Sequence, residues 1–108
     1  MMIGSTGTEM FHLSARLRLL GTEEGGRHGP VLSGYRPTFY FGQLSTDGMI
    51  QLVGRDKALP GEEFDAQVTL LHPEHVERVL KPGIRFEVKE GLHKVAEGQV
   101  LYVFESEA

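Results

Sequence analysis

Over residues 9–20 the chain alternates without interruption: Phe11, Leu13, Ala15, Leu17 and Leu19 fall on one face, and His12, Ser14, Arg16 and Arg18 on the other. A period of two is that of a pleated strand with one side buried; a helix would scatter the same apolar residues around its axis. The period returns in Phe64, Ala66, Val68 and Leu70, and again where Ile84, Phe86 and Val88 alternate with Arg85, Glu87 and Lys89. Six such strands, punctuated by glycine and proline, with no helix long enough to cover a sheet, predict an all-β antiparallel barrel or sandwich.

The turns are marked by composition. Asp47-Gly48, after Ser45-Thr46, is a strong hairpin signal and predicts a turn over 43–48, with a return strand over 49–53. Pro60-Gly61 marks another turn, and Gly91 turns the chain into a last strand over 94–104, where Gly98 indicates a bulge or a close backbone approach. Helical spacing occurs only over residues 74–83, in Val76, Val79 and Leu80, before Pro82-Gly83 ends it. Residues 1–8 read as a flexible lead-in with neither the charged flank nor the apolar core of a signal peptide, residues 9–104 as the domain, and 105–108 as an acidic tail expected to fray.

Composition narrows the function classes. A chain of 108 residues is one domain that can bury a core without staples, and the absence of cysteine removes disulfides, thiolate zinc sites and thiol nucleophiles. A net charge of -4 argues against avid unspecific binding to nucleic acid, which draws on phosphate neutralisation by Lys and Arg. No apolar run approaches the roughly 20 residues that span a bilayer, so no membrane partner is expected and the cytoplasm is the expected location.

The least ordinary stretch is Gly25-Gly26-Arg27-His28-Gly29-Pro30, followed after Val31-Leu32-Ser33 by Gly34-Tyr35-Arg36-Pro37-Thr38-Phe39-Tyr40-Phe41. It reads as a long loop feeding a strand, with Tyr35, Phe39 and Phe41 inward and Arg36, Thr38 and Tyr40 outward. Pro37 implies an edge strand or the first residues of one. Arg27 and Arg36 are the candidate contacts: a guanidinium binds carboxylate or phosphate bidentately and stacks on tyrosine. The plainer reading of Arg27 is a bridge to Glu23 or Glu24, and of Arg16 and Arg18, solvation. His28 is imaginable as a general base, but hydrogen bonding of its ring to backbone in the glycine-rich loop is the reading adopted.

Catalytic constellations are missing. There is no G-x-x-x-x-G-K-[ST] phosphate loop, so no nucleotide is expected to bind this chain, and no G-x-S-x-G elbow or H-E-x-x-H pair. His72-Pro73-Glu74-His75 is the nearest approach to a metal cluster, but proline forbids the regular helix that would align its ligands, so a surface loop is expected there. No catalytic residue, metal or cofactor is assigned.

The glycine-rich segment resembles the third, C-terminal β-barrel domain of elongation factor Tu, whose pattern is G-G-R-H-x-P, three residues, then G-Y-R-P-Q-F-Y-F; only Thr38, for Gln, departs. The resemblance continues through Pro60-Gly61, Leu70-Leu71-His72-Pro73 and Arg85-Phe86-Glu87-Val88-Lys89-Glu90-Gly91, the counterpart of G-L-R-F-A-I-R-E-G-G-R-T, and covers roughly residues 10–104. It implies a six-stranded antiparallel Greek-key barrel, here without the family's GTPase domain or second barrel. It also implies a non-catalytic module that meets a protein partner, such as a translation GTPase or its exchange factor, through Gly25, Gly26, Arg27, His28, Tyr35, Arg36 and Thr38. The alternative is weak binding of tRNA, with Gly91, His93 and Lys94 as the RNA contacts. The family's tRNA-contacting Gln falls on Thr38, its turn Thr on Asp47, the arginine of G-G-R-T is lost beside Lys94, and an interface alanine becomes Glu87. Asp47 would repel phosphate, and a charge at a packed interface is costly unless paired.

Overall fold

The computed structural model describes residues 9–107; the expected lead-in over 1–8 and Ala108 lie outside them. The strands are β1 (Glu9–Leu19), β2 (Val31–Leu32), β3 (Thr38–Phe41), β4 (Leu44–Leu52), β5 (Lys57–Ala58), β6 (Glu63–Leu70), β7 (Arg85–Glu90) and β8 (His93–Glu107). Six of them close a barrel in the order β1-β6-β4-β3-β7-β8, while β2 and β5 form a small separate sheet. All pairings are antiparallel, and β1 beside β6 with the β3-β4-β6 meander makes a Greek-key path.

Register explains the closure. Residues opposite each other in an antiparallel pair share a face, and Leu13 opposite Val68 and Leu17 opposite Phe64 superimpose two apolar faces. The interior is filled by these side chains with Ala15, Ile50, Ala66, Val88 and Val100, and by Phe86 packed at 5.4 Å on Phe39 and 5.5 Å on Phe41.

Some expected boundaries move. The turn between β3 and β4 is Gly42-Gln43, with Gly42 at φ 70°, and Asp47-Gly48 lies inside β4 rather than at its start. Gly48 is needed there for packing: a Cβ would sit 2.9 Å from a Phe39 ring carbon and 3.0 Å from Val68. Gly98 is likewise a close approach, its would-be Cβ 2.6 Å from Phe86 Cζ and 2.7 Å from the Arg16 carbonyl oxygen. The register shifts of β8 fall elsewhere, opposite Ser14/Ala15 and Val88/Lys89. Pro37 immediately precedes β3, which is an inner strand flanked by β4 and β7, not an edge. β8 runs on to Glu107, where a frayed tail was expected from Glu105. The segment with helical spacing folds as two 3₁₀ turns, Pro73–His75 and Glu77–Val79, anchored by the fully buried Val76 between them.

Candidate functional site

The glycine-rich loop is built rather than slack. Gly25 takes φ 87° as the cap of a short 3₁₀ turn (Thr22–Glu24), a conformation strained for any residue with a Cβ. Gly26 is buried against Leu20, whose carbonyl a Cβ would strike. The two adjacent glycines thus serve different needs. Beyond them the chain forms β2, whose Val31 pairs with Ala58, and Gly34-Tyr35 hydrogen-bonds both ways with Ile50 of β4 at 2.8 Å.

Arg27 fastens this loop to the barrel. Its guanidinium donates to the Pro30 carbonyl at 3.2 Å, stacks over the Tyr35 ring at 4.8 Å and pairs with Glu90 at the end of β7. The Tyr35 hydroxyl donates to the same Glu90 oxygen. Burial opposes the charge on Glu90, but the hydrogen bonds from Tyr35 and Arg27 outweigh it and hold the carboxyl below the usual glutamate range. Burial, then the neighbouring carboxylate, pushes the Tyr35 hydroxyl well above its ordinary value. The expected bridge from Arg27 to Glu23 or Glu24 does not form. Glu24 binds Arg18 instead, at 3.0 Å, and Arg18 reaches on to Glu97 at 3.2 Å, so Arg18 is not merely solvated; nor is Arg16, paired with Asp65 at 3.0 Å.

The second set of sequence candidates lies on the same face. Glu90 closes onto Arg27, and two residues past Gly91 the His93 ring Nε2 hydrogen-bonds the Gly25 carbonyl. The histidine bound to loop backbone is therefore His93; His28 is exposed, with no hydrogen bond of its own among the described residues. Gly91 takes φ 62° in the tight turn, and Leu92 at its tip is 92% exposed. Leu32, on the other flank of Arg27, is 56% exposed beside a cleft lined by Arg27, Val31, Ser33 and Tyr35.

Charge on this face is largely compensated. Lys94 is held between Glu87 at 3.3 Å and Glu97 at 3.0 Å, so the carboxylate at the family's alanine position has an internal partner. The Thr38 hydroxyl donates to Asp47 at 2.7 Å across β3 and β4. Both departures from the family pattern at these two positions thus meet in one pair. Arg36 is exposed and unpaired among the described residues.

Glu90 is the participant that sequence reading did not single out. Its signal was present: it stands in the Lys89-Glu90-Gly91 match to the family pattern, as does Arg27 in the Gly25-Gly26-Arg27-His28 match. The histidines do not gather into a catalytic group; among the described residues only His72 and His75 approach each other, beside Glu74. A protein-family model described as the elongation factor Tu C-terminal domain matches residues 7–104, the family that the motifs resembled.

Proposed function

Because the chain belongs to the elongation factor Tu C-terminal domain family, we propose that it is a non-catalytic interaction module whose partner is a protein, such as a translation GTPase or its exchange factor. The binding face is the glycine-rich loop together with the β7–β8 turn: Gly25, Gly26, Arg27, His28, Tyr35, Arg36 and Thr38, with Leu32 and Leu92. The observation that carries this reading is an unpaired arginine, Arg36, and an exposed leucine, Leu32, on a loop already fixed by Arg27 and Glu90, beside a β7–β8 turn that exposes Leu92 and is tied to the loop by His93. An apolar and cationic surface that needs no ordering on binding loses little entropy and suits a protein interface, in which arginine and apolar anchors dominate.

RNA contact by Gly91, His93 and Lys94 is the second reading, favoured by their position on that face. Against it stand the two glutamates on Lys94, the exposed Asp47 carboxylate and a net charge of -4. The family suits work in the cytoplasm, and no helix among the described residues is long and apolar enough to cross a membrane.

Affinity capture with the purified chain as bait, with and without nuclease, tests the proposal when wild type is compared with an Arg36→Ala, Leu92→Ser double variant. A translation GTPase or its exchange factor captured after nuclease and lost with the variant is the expected result. Capture that vanishes with nuclease transfers the function to RNA, and capture indifferent to the variant removes this face.

A further inference from the structure

The connection from β6 to β7 places His72, Glu74 and His75 together, the one group of three possible metal ligands among the described residues. In sequence, Pro73 speaks against an aligned ligand set because it breaks an α-helix. The segment escapes that objection by folding as a 3₁₀ turn, Pro73–His75, which accepts proline at its first position and has His72 as its N-cap. With three residues per turn, side chains at i and i+3 eclipse. The His72 and His75 rings accordingly lie stacked, centroids 5.2 Å apart and planes at 16°.

Glu74 completes the group. One of its carboxylate oxygens is 3.6 Å from His72 Nδ1 and 3.7 Å from His75 Nε2, and the donor atoms of the three residues lie within 4.8 Å of one another. An ion bound tetrahedrally through bonds of about 2.1 Å needs donors about 3.4 Å apart, so two of the three separations are nearly right. All three side chains are exposed, and the near-parallel rings turn out of their stack to bring both in-plane nitrogen lone pairs onto one ion. The backbone beneath them is fixed. The His72 amide donates to Thr46 Oγ1 at 2.9 Å, the Leu71 amide to the Asp47 carbonyl at 2.9 Å, and the His75 amide to the His72 carbonyl at 3.0 Å, while Val76 is fully buried.

We infer that His72, Glu74 and His75 form a surface site for a divalent transition-metal ion of the zinc class, its remaining positions open to water. Two imidazoles and one carboxylate suit zinc, nickel or copper, whereas magnesium and calcium require oxygen donors. The bound ion would cross-link His72, at the N-cap, to Glu74 and His75 within the 3₁₀ turn.

The untagged chain is titrated with zinc chloride by calorimetry near pH 7.5, and histidine ring signals are followed by NMR. One ion per chain is expected, with His72 and His75 shifting and His12, His28 and His93 unmoved. His72→Ala and His75→Ala each weaken binding at least roughly tenfold, equal to about 1.4 kcal/mol. Absence of binding by the folded chain, equal binding of magnesium, or undiminished zinc binding in the His72→Ala, His75→Ala double variant overturns the site.

Discussion

Two arginines separated by nine positions in one loop do different work. Arg27 has its guanidinium engaged by Glu90, the Tyr35 ring and the Pro30 carbonyl; Arg36 is exposed and unpaired among the described residues. Arg27→Ala leaves Glu90 and Tyr35 without their cation and is expected to cost about 1–2 kcal/mol. Arg36→Ala should change stability by no more than about 0.5 kcal/mol while reducing partner capture. Urea melts of both variants check the contrast. The interior glycines are equally specific. Gly98→Ala pushes a methyl group against the Arg16 carbonyl, which cannot yield, as well as the Phe86 ring; for Gly48→Ala the nearest atoms are side-chain carbons of Phe39 and Val68. Both substitutions overpack, by about 1–3 kcal/mol, and Gly98→Ala is expected to be the worse, as the same melts would report.

Among the elements, the β6–β7 connection depends most on a single side chain. Its two 3₁₀ turns are too short to hold themselves, and Val76 is their one fully buried residue. Val76→Ala removes two buried carbon groups, about 1.6 kcal/mol by area, and should speed amide exchange locally over residues 73–80 before the barrel itself loosens. Hydrogen exchange read by mass spectrometry distinguishes that local opening from global unfolding. The glycine-rich loop is the opposite case. β2, the Gly34-Tyr35 pairing with Ile50 and the Arg27 network hold it at several points, so it should exchange slowly along much of its length.

For the whole molecule, the ion pairs knit distant parts of the chain and make stability depend on pH. Glu24, Glu90 and Glu97 all lie below the ordinary glutamate value. The causes differ: Arg18 chiefly for Glu24, Lys94 chiefly for Glu97, and for Glu90 hydrogen bonds from Tyr35 and Arg27 that overcome burial. A depressed folded value means that the unfolded chain binds more protons in that range. The stabilisation is therefore complete above the unfolded glutamate value of about 4.3 and disappears as pH falls through the lower folded values. Tyr35 has the opposite sign. Its raised value lets it stabilise fully below the unfolded tyrosine value of about 10, with loss as pH rises beyond it. Urea midpoints from pH 3 to 11 should trace a plateau with two falling arms; Glu90→Gln should flatten part of the acid arm, and Tyr35→Phe the alkaline one.

What the sequence determined by itself is the set of inward faces. Phe11 to Leu19, Phe64 to Leu70, and Phe86 with Val88 were legible because a period of two has a single structural meaning when one side must be buried. The motifs around Gly25-Gly26-Arg27-His28 carried the family as well. The tertiary structure decided what depends on neighbours distant in sequence. Asp47-Gly48 looks like a turn locally, yet Gly48 is required by the Phe39 ring and Val68 packed over it. Arg27 has acidic residues close by in sequence, yet barrel closure brings Glu90 to it and leaves Glu24 to Arg18. His72 and His75 face one another only because the connection coils as a 3₁₀ turn. Local patterns specify which side of a strand is buried, since that follows from backbone geometry alone; which charges meet is set by the order in which six strands close, and that order is a property of the assembled barrel.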